Sequence, residues 1–133
     1  MLSRFGIYMR ESNSANSVFM ENLAKTIGYL KNLKHLDLDI KECHKIKREG
    51  INKVLTAIGN NQQIMSLQLR MNGCKAFNND IATKIGALLE SKIKLEYFDL
   101  SITDLKDIDQ SGTADLFSGL TTQKTLKVLH LNF

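Results

Sequence analysis

Apolar residues along this chain follow two rhythms that take turns. The stretches LKHLDLDI from Leu33, IMSLQLRM from Ile64, LEYFDLSI from Leu95 and LKVLHLNF from Leu126 each begin 31 residues after the one before. One further step back predicts a start at position 2, where LSRFGIYM places Leu2, Phe5, Ile7 and Met9 in the same slots. In every copy the apolar residues fill positions 1, 4, 6 and 8, and the last three alternate as in a strand with one buried face. The inward sets are Phe5, Ile7 and Met9; Leu36, Leu38 and Ile40; Leu67, Leu69 and Met71; Phe98, Leu100 and Ile102; and Leu129, Leu131 and Phe133.

Between these strands the spacing becomes helical. Phe19, Leu23, Ile27 and Leu30 fall on one helix face, as do Ile51, Val54, Leu55 and Ile58. Ile81, Ile85, Leu88 and Leu89 serve a third helix, and Leu116, Phe117 and Leu120 a fourth. Gly50 and Gly112 share one phase of the repeat, at the start of a helix, and Gly59-Asn60-Asn61 reads as a helix end. Each unit is thus strand, loop, helix, loop, and successive strands must run parallel because a helix crosses back between them.

One such unit cannot bury its own apolar face, whereas four or five stacked units share a continuous core. The expected fold is α/β: a curved right-handed β-α superhelix with five parallel strands and four helices on the convex side. Helices need more width than strands, so the sheet should line the concave face. The chain, residues 1–133, reads as one domain and as a segment of a longer solenoid. Its first strand starts almost at once, and Phe133 closes the last with no helix after it.

Composition narrows the classes. The chain is 43% hydrophobic and 24% charged, with net charge +4. No apolar run approaches the ~20 residues of a membrane span, and the opening MLSRFGIYMRESNSANS lacks the apolar core of a signal peptide. A cytoplasmic location is expected. The basic stretch Lys41–Arg48 contains Glu42 and precedes Glu49, so it reads as a solvated loop and helix start, and nucleic acid is not the expected partner.

The L-x-x-L-x-L core followed by a helix resembles the ribonuclease-inhibitor-like subclass of leucine-rich repeats. It is closer to the longer protist variant, L-x-x-L-x-L-x-L-x-x-N/C-x-x-I. Cys43 and Cys74 occupy position 11, the place of the asparagine or cysteine ladder, and Ile46, Phe77 and Ile108 the apolar position three residues later. Ser12 and Leu105 depart from that ladder, and 31 residues exceed the usual ~20–29 of such repeats. The resemblance spans essentially the whole chain and implies a noncatalytic, protein-binding role.

Candidate chemistry is sparse. Cys43 and Cys74 lie in neighbouring repeats, where strands are about 4.8 Å apart, so distance alone permits a disulfide. The favoured reading is two buried thiols beneath a turn, donating weakly to backbone carbonyls. Cys43-His44 looks like a metal-site fragment, but no second ligand pair has matching spacing. No phosphate loop or nucleophile elbow appears, so neither catalysis nor a cofactor is expected. The informative surface is the concave face, with Arg4, His35, Ser66, Tyr97 and Val128 at position 3. Position 5 holds Gly6, Asp37, Gln68, Asp99 and His130, and position 7 Tyr8, Asp39, Arg70, Ser101 and Asn132. Its carboxylates could hold a divalent cation or do acid–base work, but alternation alone already places polar residues there.

The expected partner site is Arg4, Tyr8, His35, Asp37, Asp39, Gln68, Arg70, Tyr97, Asp99 and His130, with Tyr8 and Tyr97 as aromatic anchors. The loops Arg10–Glu11, Lys41–Glu42, Asn72–Gly73 and Thr103–Asp104 would flank it. Two other roles compete. The chain could be a structural segment of a large cytoskeletal or ciliary assembly, its terminal strands covered by further repeats or neighbouring chains. It could instead be a regulatory region of a signalling enzyme whose catalytic domain lies outside it.

Overall fold

The computed structural model describes residues 1–103 and 106–133. The ladder position at Leu105 and the loop residue Asp104 lie outside the described residues. Five strands alternate with four helices: β1 (Arg4–Arg10), α1 (Ser17–Tyr29), β2 (His35–Lys41), α2 (Arg48–Asn60), β3 (Ser66–Arg70), α3 (Asn79–Ser91), β4 (Tyr97–Ser101), α4 (Gln110–Thr121) and β5 (Val128–Asn132). The strands form one open, all-parallel sheet in sequence order, with β1 and β5 at its edges. Its register follows the repeat: Leu36 stands beside Leu67, Leu67 beside Phe98, and Phe98 beside Leu129.

The alternation read from the sequence holds best in the middle. Leu36, Leu38, Ile40, Leu67, Leu69, Met71, Phe98, Leu100 and Ile102 are all buried against the helix residues Leu23, Ile27, Val54, Leu55, Ile58, Ile81, Ile85, Leu88 and Leu89. The five inward sets are not equal, however. Phe5, Ile7 and Met9 are only half-buried, and Leu129 and Phe133 are exposed, because an edge strand has a neighbour on one side only. Phe117 corrects the reading of the fourth helix. It is 44% exposed, since no described helix packs on that flank of α4. Met20 and Ala15 are core residues that the spacing argument passed over.

Helix starts recur at one phase. Asn16, Asn78 and Asp109 cap α1, α3 and α4 by accepting backbone N–H groups of the first turn, whereas Lys47 at the start of α2 makes no side-chain cap. The two glycines near helix starts permit close packing. A Cβ on Gly50 would lie 2.8 Å from that of Met20, and one on Gly112 would collide with the Asn79 side chain.

Side chains of the following unit hold three of the helix ends. α2 does stop at Asn60, but its cap residue Asn61 has φ of −92°, so no left-handed glycine closes it. The following unit supplies the donors. Asn61 Nδ2 reaches the Leu30 carbonyl at 2.9 Å behind α1. Lys92 Nζ donates to the carbonyls of Ile58, of Gly59 at 3.3 Å and of Asn61 at 2.5 Å behind α2. Gln123 Nε2 donates to Leu89 behind α3.

Cys43 and Cys74 are buried free thiols. Cys43 Sγ donates to the Lys41 carbonyl at 3.3 Å and Cys74 Sγ to that of Ile40 at 3.1 Å, as expected for the turn ladder. Burial pushes the Cys74 thiol up to about 11.

Candidate functional site

The helix-free face of the sheet carries the residues at positions 3, 5 and 7, and strand register sets their neighbours. Arg4, His35, Ser66, Tyr97 and Val128 form one row; Gly6, Asp37, Gln68, Asp99 and His130 the next; Tyr8, Asp39, Arg70, Ser101 and Asn132 the third. All ten expected site residues therefore share one surface, but they divide into three groups with different chemistry.

The central group is an ion cluster built on Arg70. Its Nη2 donates to Asp99 Oδ2 and to Gln68 Oε1, both at 2.6 Å. Asp39 Oδ2 lies 3.9 Å from Arg70 Nη1 and 3.3 Å from Lys41 Nζ. The hydrogen bond to Asp99, reinforced by the charges of Asp99, Asp37 and Asp39, raises the Arg70 guanidinium above its ordinary pKa. A short polar chain continues the cluster: Asn132 Nδ2 donates to Ser101 Oγ, which donates to Asn72 Oδ1, each at 3.1 Å. Asp99 is only 7% exposed and Ser101 is also buried, so the outward face of β4 is covered instead of solvated. The cause is Arg70, which lies across it. With both Asp39 and Asp99 turned toward cations, the carboxylates are committed to structure. No group of three or more His, Cys, Asp or Glu among the described residues could hold a metal ion. His44, beside Cys43, is exposed.

The second group lies toward β1. Tyr8 is 68% exposed, and its hydroxyl donates to Asp37 Oδ2 at 2.6 Å. That bond, with the charge of Asp37, raises the Tyr8 phenol above its ordinary pKa. Gly6 leaves room for the Tyr8 ring, as a Cβ there would sit 3.1 Å from it. Arg4, Gly6, Tyr8, His35, Asp37 and Gln68 line a cleft of about 330 Å³. Asp37 Oδ1 is shielded from solvent and has no donor among the described residues.

The third group is Tyr97 with His130. The hydroxyl lies 3.3 Å from His130 Nδ1, and the rings meet edge to face with centroids 5.6 Å apart. Val128 flanks Tyr97 from the edge strand and is exposed.

The strand-to-loop corners share an unusual backbone. Glu11, Glu42 and Gly73 all have positive φ, at 49°, 54° and 71°, one repeat apart. Only the third is the residue type that adopts this conformation without cost. Asn72, Ser101 and Asn132 extend the cluster beyond the residues picked from the sequence. The strand face shared by Ser101 and Asn132 was legible and Asn72 was placed in the flanking loop, but their mutual reach depends on rotamers that no periodicity encodes.

Compared with known proteins, the chain matches no protein-family model and is similar to no curated protein.

Proposed function

We propose that this chain is a stretch of leucine-rich-repeat solenoid that acts as a noncatalytic protein-binding module through the helix-free, concave face of its sheet. The observation that carries the reading is how that face divides its residues. The charges in its centre are neutralised by one another through Arg70, while Tyr8 stands exposed to one side and the Tyr97–His130 pair to the other. An exposed Tyr8 and a half-exposed Tyr97, set around a polar centre whose charges are paired, are what a protein partner can desolvate at low cost. The 31-residue period, the matching strand register and the thiol ladder support the family reading.

Asp99 is a poor probe of this face, because its removal strands Arg70 in a half-buried position. The test is a Tyr8→Ala/Tyr97→Ala double variant, assayed by affinity capture from lysate with quantitative mass spectrometry. Partners retained by the native chain should bind at least about tenfold more weakly to the variant, as loss of two aromatic anchors requires. The thermal unfolding transition should stay in place. Unchanged capture would remove the concave face from consideration.

A second role, permanent incorporation into a larger assembly, is favoured by one observation. Phe117, Val128, Leu129 and Phe133 leave an apolar flank exposed around α4 and β5. Analytical ultracentrifugation distinguishes the two. A monomer that stays soluble at high concentration argues against the assembly role.

A further inference from the structure

A separate trough lies on the helix side of the molecule, away from the sheet face. It occupies about 760 Å³ over α1 and α2. Glu21, Ala24, Lys25 and Gly28 line it from α1, at the spacing of one helix face. Asn52, Lys53, Thr56 and Ala57 line it from α2. Lys31 and the residues around Asn61 close one end, and Lys84 of α3 stands at the side.

Four lysines thus surround a floor of small side chains, with one carboxylate among them. Glu21 spans the trough, with Oε1 3.2 Å from Lys25 Nζ and Oε2 3.3 Å from Lys53 Nζ. It shows how an anion is held between the two helices. Lys31 and Lys84 have no acidic partner among the described residues. Asn52 Oδ1 is shielded and has no donor among the described residues.

We propose that this trough is a docking site for an acidic peptide segment of a partner protein. Such a segment would seat a small apolar residue on Ala24, Gly28 and Ala57. It would direct Asp or Glu side chains to Lys31 and Lys84. Three features favour a peptide over a compact phosphate-bearing ligand. The site is elongated along two helices. Its wall includes the exposed carboxamides of Asn60 and Gln62, a group that pairs with peptide units in both directions. It also runs on to the C-terminal ends of α1 and α2, where helix dipoles are negative and oppose densely packed negative charge. Spaced carboxylates meet that field more easily.

The test uses the intact chain and three probes followed by fluorescence anisotropy. They are a labelled peptide of about 15 residues alternating Glu with Ala and Leu at helical spacing, the same peptide with Lys for Glu, and inorganic polyphosphate as competitor. The acidic peptide should bind saturably and lose affinity with salt, and the basic peptide should not bind. Lys31→Glu/Lys84→Glu should weaken binding about tenfold. Glu21→Gln, which frees Lys25 and Lys53, should strengthen it, and Tyr8→Ala should leave it unchanged. The same double reversal at Lys45 and Lys75, outside the trough, is the control for bulk charge. The proposal is overturned if this control weakens binding as much, or if no saturable binding appears at physiological salt. Binding of polyphosphate in place of the peptide would overturn it too. Circular dichroism confirms that each variant is folded.

Discussion

Lys92 shows how one side chain is used against its own preference. It is 3% exposed, and burial lowers its ammonium to about 8, while three carbonyls at the end of α2 hold it. The sign of the resulting pH dependence follows directly. Below pH 8 the lysine is charged in both folded and unfolded chain, and the folded state bears the whole cost of burying the charge. Above the unfolded value of about 10.4 it is neutral in both, and the cost is gone. Stability should therefore rise between pH 8 and about 10, by roughly 2–3 kcal/mol, relative to Lys92→Gln, whose side chain matches Gln123 at the equivalent site. Urea unfolding of both proteins across that range measures it, and parallel curves would show that the charge is not buried. The sequence could have disclosed this role: Asn61, Lys92 and Gln123 each stand three residues before the next strand copy, at the 31-residue period. Asn61 read only as part of a helix end, and Lys92 and Gln123 carried no signal because polar residues between a helix and a strand read as solvated loop. Asp99 stands on the outward face where alternation put it, but its burial, with Arg70 bonded to it, was not legible from alternation.

Helices in this chain begin by a shared device that one of them lacks. Asn16, Asn78 and Asp109 cap their helices, and Lys47 occupies the same phase without a cap bond. Lys47 also places a cation at the positive end of the α2 dipole. Lys47→Asn should accordingly stabilise the protein by about 1 kcal/mol, read as a shift in the urea midpoint at constant slope. A neutral or destabilising result would mean that the α2 start cannot adopt the geometry of its counterparts. Existence and order of these elements were legible from periodicity, because a period of two and a period near 3.6 cannot be confused over so many repeats. Their closures were not. α2 ends where Gly59-Asn60-Asn61 suggested, but nothing in that run disclosed that a donor from the next unit holds its last carbonyls. Close approach of α3 and α4 was equally hidden. A Cβ on Gly86 would meet the Asp115 carbonyl, and one on Gly119 the backbone of Gly86, a pairing that shows only once both helices are in place.

Cohesion across the sheet depends on neighbours, so it should fall from centre to edge. Strands β2, β3 and β4 have partners on both sides and buried inward sets, whereas β1 and β5 have one partner each and half-exposed sets. Native-state hydrogen exchange should find the inner strand amides protected about a hundredfold or more beyond those of β5. Uniform protection would instead mark a single all-or-none unit. Partner capture by the sheet face would then be a property of the stable centre around Arg70, with Tyr97 and His130 closer to the yielding edge. The donors that close the helix ends add a direction to this arrangement. Helices α1, α2 and α3 each finish on a side chain from the following unit, so these units are not self-contained and the smallest coherent piece is a unit with its successor. Duplicating a block of the natural period would reproduce every joint unchanged, since the inserted copy closes its predecessor and is closed in turn. An insertion of another length inside a unit would leave one helix with open carbonyls. Chains built this way can change in copy number far more freely than in the length of a single copy.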